Sequence, residues 1–452
     1  MAANSGMKRW RSVSGYQWFV FLVAGGAWMF DNLDQRIFSL ARIPALSDLM
    51  GLPVSDLSVQ SFAKIVTAIF LVGWGLGGLC IGALGDRYGR VRLLSISIVI
   101  YALGTGMTAL ASTHEIFAVL RFITGLGIGG VFGLAVTIIA DTFDGSMRIA
   151  MLALLQVLST MGNISAALLK MGVDHLAGQN LIAVESAWRY LFAVGALPLG
   201  LAILSVVYLR EPEAWIAQRN RHALPSSGLD AYRRIFRNRE ERRNLVFGAV
   251  LASTGVIGLW AIGEYAVDLQ ATLFRSYFAQ RYAPSEVPHL VASAMSRAYL
   301  LQMLGGAIGM LAFTWVANRI GRRQAFIGGF AAAFVVTLLI YWRLETPQDA
   351  YWMMPLMGVA QLGVFAGFAI YLPELFSAQQ RGTGVSFCYN LGRFAAAGGS
   401  FVSALLTTAV FQHFPAPFPL RYSAMTMCMV FLVGMVTAFY APETKIAQTQ
   451  RG

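Results

Sequence analysis

Apolar residues run along this chain in blocks of about twenty, too long for ordinary core helices and separated by short polar intervals. A helix rising 1.5 Å per residue needs about 20 apolar residues to cross the hydrocarbon layer of a bilayer. Blocks of that kind fall near residues 17–40, 62–84, 92–111, 116–140, 149–172, 188–208, 245–270, 290–316, 324–342, 351–372, 382–408 and 422–440. The pattern predicts an all-α membrane protein with twelve spanning helices. Composition strengthens this, because 57% of the 452 residues are hydrophobic and only 12% are charged. A soluble chain carries about 25% charged residues, so a water-soluble enzyme, a disordered chain and a coiled coil are excluded.

The formal charge of +12 would suggest nucleic acid in a soluble protein; in this chain it reads as topology. With the N-terminus inside, the inner segments hold 22 Lys and Arg and the outer segments five, with seven more inside spans. Both termini are therefore expected in the cytoplasm, with the chain in the inner (plasma) membrane and no nucleic-acid partner. The first apolar block contains Asp31, Asp34 and Arg36 and lacks a small-residue cleavage site, so it reads as a retained helix. Cys80, Cys388 and Cys428 fall within spans without pairing or metal-ligand spacing. His114, His175, His222, His289 and His413 are all expected in loops, which leaves carboxylates to carry any intramembrane proton. No metal or cofactor is expected, and no Ser/His/Asp constellation suggests an enzyme.

The longest polar interval, Arg210 to Asn244, splits the chain into six spans and six spans. Gly85–Asp86–Arg87–Tyr88–Gly89–Arg90 returns as Ala317–Asn318–Arg319–Ile320–Gly321–Arg322, 232 residues later. Asp141 followed by Arg148 returns as Glu374 followed by Arg381, 233 later, and Pro212–Glu213 returns as Pro442–Glu443, 230 later. Landmarks in register over half the chain imply duplicated six-helix bundles, the parallel repeat of a transporter with its site between the halves. The expected domains are an N-terminal bundle over 1–208, a cytoplasmic linker over 209–244, and a C-terminal bundle with a short cytoplasmic tail over 245–452.

Gly82-x-x-x-Asp86-Arg87-x-Gly89-Arg90-x-Arg92 resembles the loop between helices 2 and 3 of the major facilitator superfamily. Arg121-x-x-x-Gly125-x-Gly127-x-Gly129-Gly130 is similar to its fourth-helix motif. Pro373–Glu374 with Arg381–Gly382, Gly392–Arg393 and Pro442–Glu443–Thr444 are similar to its sugar-porter and organic-ion branches. The resemblance implies two bundles related by a pseudo-twofold axis and transport by alternating access. Asp86, Arg87, Arg90, Asp141, Arg148, Arg319, Arg322, Glu374 and Arg381 are then candidates for a cytoplasmic gate of breakable charge pairs, Asp141 with Arg148 and Glu374 with Arg381 among them. Asn318 replaces the acid common at that position, so the second-half loop is expected to be the weaker latch. The helix-4 glycines fit close helix packing.

Charges inside spans are costly unless paired or hydrated, and so mark function. Asp31, Asp34, Glu264 and Asp268 are candidates for proton coupling, with Asp34 first. Asp31 and Asp34 share a helix face, and two carboxylates so close cannot both ionise cheaply without a cation between them. Asp34, Lys64, Arg121, Asp268 and Arg297 come out at similar depth, about 5–12 Å from the outer helix ends at 1.5 Å per residue. Arg121, Arg297, Arg393 and Lys64 are candidate substrate-binding cations. Gln156, Asn163, Gln302, Gln361, Tyr389 and Asn390 complete a candidate polar-solute pocket.

The run Asp31–Asn32–Leu33–Asp34 is similar to the paired-acid first helix of aromatic acid:proton symporters, although a glycine commonly follows the first acid there. The leading expectation is a proton-coupled symporter of a small organic anion, working as a monomer in the lipid bilayer with the proton as its coupling ion. A sugar or polyol porter is the alternative; a channel or receptor ranks lower, because no pore-loop repeat is present.

Overall fold

A computed structural model describes residues 13–54, 56–179, 181–183, 185–221, 224–284 and 286–444. Regular structure is entirely helical among the described residues. The first half contains α1 (Gly15–Met50), α2 (Leu57–Tyr88), α3 (Arg90–Thr108), α4 (His114–Thr142), α5 (Gly145–Gly178), α6 (Ala187–Val194) and α7 (Pro198–Tyr208). Two short helices follow, α8 (Glu213–Asn220) and α9 (Gly228–Arg237). The second half contains α10 (Arg239–Ile257), α11 (Gly263–Ala279), α12 (Val287–Ile320), α13 (Arg322–Arg343), α14 (Pro347–Glu374), α15 (Arg381–Leu405), α16 (Phe418–Met427) and α17 (Val430–Tyr440). π-helical turns at Gly258–Ile262 and Leu406–Val410 join α10 to α11 and extend α15.

Eleven helical stretches among the described residues are long and apolar enough to cross a membrane, counting α6 with α7, α10 with α11, and α16 with α17 as one each. The expected count of twelve includes α1, whose 36 residues are interrupted midway by Asp31, Asp34 and Arg36. Several helices overrun the apolar blocks. α1 continues through Pro44 to a left-handed C-cap at Gly51, because a single missing amide does not stop a helix that is packed on its neighbours. The same overrun places His114, His175 and His289 in helices rather than loops, while His222 lies outside the described residues. Large apolar side chains such as Val206, Ile308 and Phe439 are exposed, as lipid-facing positions require.

Packing divides the chain into two compact units, Met1–Leu245 with Leu372–Asn390, and Val246–Tyr371 with Leu391–Gly452. In the first, α2 and α4 meet through glycines. A Cβ on Gly73 or Gly77 would strike the carbonyls of Phe122 and Leu126, and one on Gly125 or Gly129 would strike those of Phe70 and Trp74. Small residues four apart on both helices thus let the backbones touch. The second unit repeats the device, with Gly305 and Gly309 of α12 against the carbonyls of Pro355 and Val359.

Three further fittings recur at a spacing of 232. Gly89 (φ 113°) and Gly321 (φ 104°) make the turns that start α3 and α13. Glu211 accepts from the amides of Arg90, Val91 and Arg92 at 2.7–3.1 Å. Glu443 accepts from those of Arg322 and Arg323 at 3.1 and 3.0 Å. A carboxylate on the free amides of a first turn also meets the positive end of the helix dipole. The other ends are held alike: Arg189 donates to the carbonyls of Ala109 and Ala111, both at 2.9 Å, and Arg421 to those of Tyr341, Trp342 and Leu344. By the amides each one caps, the counterpart of Glu443 in the first half is therefore Glu211 and not Glu213, which corrects the Pro–Glu match by two residues.

Candidate functional site

Asp34 and Arg121 are both fully enclosed within the first unit. α1 supplies the acid, α4 the cation, and α3 a set of threonine hydroxyls between them. Thr105 donates to Asp34 Oδ1 at 2.6 Å, and Arg121 Nη1 stands 3.6 Å from the same oxygen. Arg121 Nη2 donates to the Gly104 carbonyl at 3.2 Å, to Thr108 at 2.6 Å and to Thr124 at 3.0 Å. The guanidinium lies 4.8 Å from the Phe192 ring centroid and 5.8 Å from that of Phe38. One arginine nitrogen is thus saturated, while Nε and Nη1 find no hydrogen-bond acceptor among the described residues, nor does Asp34 Oδ2 find a donor. A buried ion pair stabilises only when its remaining polar atoms are matched. This pair is held in place without being completed.

Three residues before Asp34, Asp31 is buried and accepts from Gln35 Nε2 at 2.5 Å. Below them lies an aromatic and amide cluster. Trp28 Nε1 donates to Gln156 Oε1 at 2.9 Å, and Tyr389 stacks on Phe132 at 3.8 Å with Trp28 at 6.2 Å. Asn390 donates to the Ser386 carbonyl at 2.7 Å and to that of Gly129 at 3.4 Å. Asn163 is half-buried and turns back onto the Ser159 carbonyl at 3.0 Å.

The other candidates are distributed differently. Lys64 is exposed on α2, between buried Ala63 and Val66, so the cation opposite Asp34 is Arg121. Asp268 and Arg297 are also exposed, Gln302 is half-buried and Arg393 is buried. Gln361 is buried and donates to Thr337 at 3.0 Å. Glu264 lies on α11 with its side chain outside the described residues. Similar depth along a helix says nothing about azimuth, and azimuth separates Lys64 from Arg121. Among the described residues no group of His, Cys, Asp or Glu could hold a metal ion.

A second polar cluster lies at the other end of the first unit. Asp86, closing α2, accepts from the amides of Gly382 (3.2 Å) and Thr383 (2.7 Å) and from the Thr383 hydroxyl (2.8 Å). It therefore sits on the N-terminus of α15, where free amides and the helix dipole favour an anion. Arg90 lies 3.4 Å from Asp86, donates to the Ala378 carbonyl at 2.6 Å and pairs with Asp141. Arg381 also pairs with Asp141 and donates to the Pro373 carbonyl at 3.1 Å. The expected Asp141–Arg148 pair is absent: Arg148 folds back onto the Phe143 carbonyl at 2.8 Å and onto Asp144 at 3.2 Å. Asp141 instead points at two buried or nearly buried guanidiniums, which need the counter-charge more than half-exposed Arg148 does. Glu374 ends α14 half-buried, Arg87 and Arg319 lie over the rings of Tyr88 and Trp315, and Arg322 donates to Asn318 at 3.3 Å.

The linker helices brace this cluster. Trp215 of α8 donates to the Asp86 carbonyl at 2.9 Å. Tyr232 of α9 donates to the Leu79 carbonyl at 2.7 Å and packs its ring 5.9 Å from Phe387. Burial pushes the Tyr232 phenol well up from its ordinary pKa. The Thr105, Thr108 and Thr124 hydroxyls, Glu211 and Thr383 are site residues that sequence reasoning missed. The pair Thr105/Thr108, three apart at the end of α3, was the available signal.

Over residues 12–397 the sequence matches the Major Facilitator Superfamily. It is 27% identical over 372 residues to the cis,cis-muconate transport protein of Acinetobacter baylyi, covering 79% of this chain and 83% of that one. It is 23% identical over 413 residues to the 4-hydroxybenzoate transporter PcaK of the same organism, covering 87% and 86%. The structure of the proton:xylose symporter XylE bound to 6-bromo-6-deoxy-D-glucose aligns with a TM-score of 0.70 at 16% identity, over 95% of this chain and 97% of that one. At that identity the likeness is one of fold. With the family matched across most of its length and an all-helical, multi-spanning architecture, this chain belongs to the Major Facilitator Superfamily.

Proposed function

We propose that this chain carries a small organic anion together with a proton, by alternating access. The observation that carries this reading is the uncompleted Asp34–Arg121 pair. Arg121 presents Nε and Nη1 without an acceptor, so its guanidinium still has donors to offer the oxygens of an anion. A proton on Asp34 removes the charge that competes for those donors, so proton and anion are expected to bind together. When the proton leaves, Asp34 reclaims Arg121 and the anion loses its partner. The relatives described as muconate and 4-hydroxybenzoate transporters support an anionic substrate.

Asp31 is proposed as a second acid close to the first, with Gln156, Tyr389 and Asn390 contributing to the solute site. In the second half Glu264, Asp268, Arg297, Arg393, Gln302 and Gln361 are proposed to face the same path, with Asn163 and Lys64 at its margin. The Asp86 cluster serves as the inner gate: it joins the end of α2 to the start of α15 in one state and parts in another. α1 is the twelfth span, residues 1–208 and 245–452 form two six-helix bundles, and 209–244 with both termini lies in the cytoplasm.

A sugar or polyol substrate is the second reading, favoured by the buried amides Gln156, Gln361 and Asn390. Uptake into proteoliposomes separates the two. Under an inward proton gradient, 4-hydroxybenzoate or muconate should accumulate and xylose should not; the reverse result overturns the anion reading. A Ser226→Cys variant should resist an impermeant label added outside intact cells, and labelling there would overturn the topology.

A further inference from the structure

Ala231 and Ile235 of α9 are buried, and Tyr232 reaches from the same side to the Leu79 carbonyl. Its other side is covered by nothing among the described residues. Leu229 is 71% exposed and Phe236 46% exposed, with exposed Arg233 and Arg237 beside them. Positions 229, 233, 236 and 237 are spaced i, i+4, i+7 and i+8, so they form one continuous face. Asn238 alone separates α9 from α10, which opens the membrane-length stretch Arg239–Ala279 and exposes Arg239, Arg242 and Arg243 in its first turns.

The depth of α9 follows from α2. At 1.5 Å per residue, the 32 residues of α2 span about 48 Å, against about 30 Å of hydrocarbon, leaving about 9 Å beyond each boundary if it is centred. Leu79 lies nine residues before the end at Tyr88, about 13 Å inward by the same rise, so the Tyr232 hydroxyl is held close to the hydrocarbon boundary. A short helix at that level, with two large apolar side chains flanked by arginines, has the make-up of an interfacial helix on an anionic leaflet.

We infer that the outer face of α9 is a docking surface for anionic phospholipid, with Leu229 and Phe236 entering the acyl boundary and Arg233 and Arg237 meeting headgroup phosphates. The depth and charge of α9 are independent of which solute is carried. Because Tyr232 contacts both Leu79 of α2 and Phe387 of α15, lipid held on α9 also steadies the two helices that Asp86 joins.

The test uses the delipidated full-length protein titrated with phosphatidylglycerol or phosphatidylcholine, with bound lipid counted by native mass spectrometry. Wild type should retain phosphatidylglycerol preferentially. The R233Q/R237Q variant should lose about tenfold in that retention, about 1 kcal/mol or less per charge, while R275Q/R281Q, altered at exposed arginines elsewhere, should not. R233K/R237K should restore binding, and a monodisperse gel-filtration profile shared by all variants separates lost binding from misfolding. Equal retention of the two lipids, or undiminished phosphatidylglycerol on R233Q/R237Q, overturns the proposal. So does a wild-type dimer that Phe236→Ser converts to a monomer, since that would make this face a contact between copies.

Discussion

Arg90 and Arg322 open helices that are held in the same way, behind a glycine of positive φ and under a glutamate on the first-turn amides. Four residues earlier the halves part company, for Asp86 faces Arg90 where Asn318 faces Arg322. The contrast recurs deeper in the bundles. The first half encloses Asp34 and Arg121 completely, whereas Asp268 and Arg297 in the second are exposed. Mechanical fittings have been kept in both repeats; the buried carboxylates Asp31, Asp34 and Asp86 lie in the first, whereas the buried charges described in the second are the arginines Arg322, Arg393 and Arg421. A repeat that only has to hold its shape needs caps and glycine contacts; a repeat that binds and releases a proton also needs a charge whose environment can change.

The largest effect should come from Asp34. Asp34→Asn mimics a permanently protonated acid, so accumulation driven by a pH gradient should be abolished while exchange of labelled for unlabelled solute persists. Asp268, which faces the path without being enclosed, is not needed to hold the coupled proton, so Asp268→Asn should leave accumulation within about twofold of wild type. Transport assays in proteoliposomes decide both, and if Asp268→Asn alone abolishes accumulation, the charge asymmetry is assigned to the wrong half. Arg121→Lys keeps the charge but not the paired donors, and should raise the concentration needed for half-maximal exchange rather than stop it.

A smaller difference is expected at the gate. Asp86→Asn keeps size but weakens the hold on the α15 amides, since hydrogen bonds to a charged group contribute about 1.5–3 kcal/mol against about 1 for a neutral one. Net transport should fall several-fold, and cysteines placed at the inner ends of α2 and α15 should label faster. Asn318→Ala, which removes only a 3.3 Å contact to Arg322, should change transport little. Equal losses from the two would mean that the acid adds nothing beyond the shape of the loop.

Period is legible in this sequence and azimuth is not. Blocks of twenty apolar residues and the recurrence of Asp86–Gly89–Arg90 as Asn318–Gly321–Arg322 were visible because length and spacing survive in one dimension. Which way a side chain turns does not survive. Lys64 and Arg121 were equally deep by counting, and only the α2–α4 glycine contact turns Arg121 inward and leaves Lys64 outside. Nearness in sequence pairs Asp141 with Arg148, but its partners Arg90 and Arg381 come from helices far off in the chain. The Pro–Glu dipeptide recurs at 230 residues, whereas the capping acids lie 232 apart.

That last correction gives the finest test of what the halves share. Glu211 and Glu443 each accept first-turn amides across a tight glycine turn, so Glu211→Gln and Glu443→Gln should each cost about 1 kcal/mol, the usual size of a lost helix cap. A glutamine keeps one acceptor oxygen and loses the charge that the helix dipole favours, which holds the effect near the lower part of the capping range. Glu213 starts α8 and is exposed, so Glu213→Gln should leave the melting temperature where it is. Thermal unfolding in detergent, read on all three variants, distinguishes the registers. Matched losses at 211 and 443 with none at 213 support the 232 spacing. A loss at 213 equal to that at 443 would restore the Pro–Glu alignment, and unequal losses at 211 and 443 would extend the asymmetry between halves from their charges to their caps.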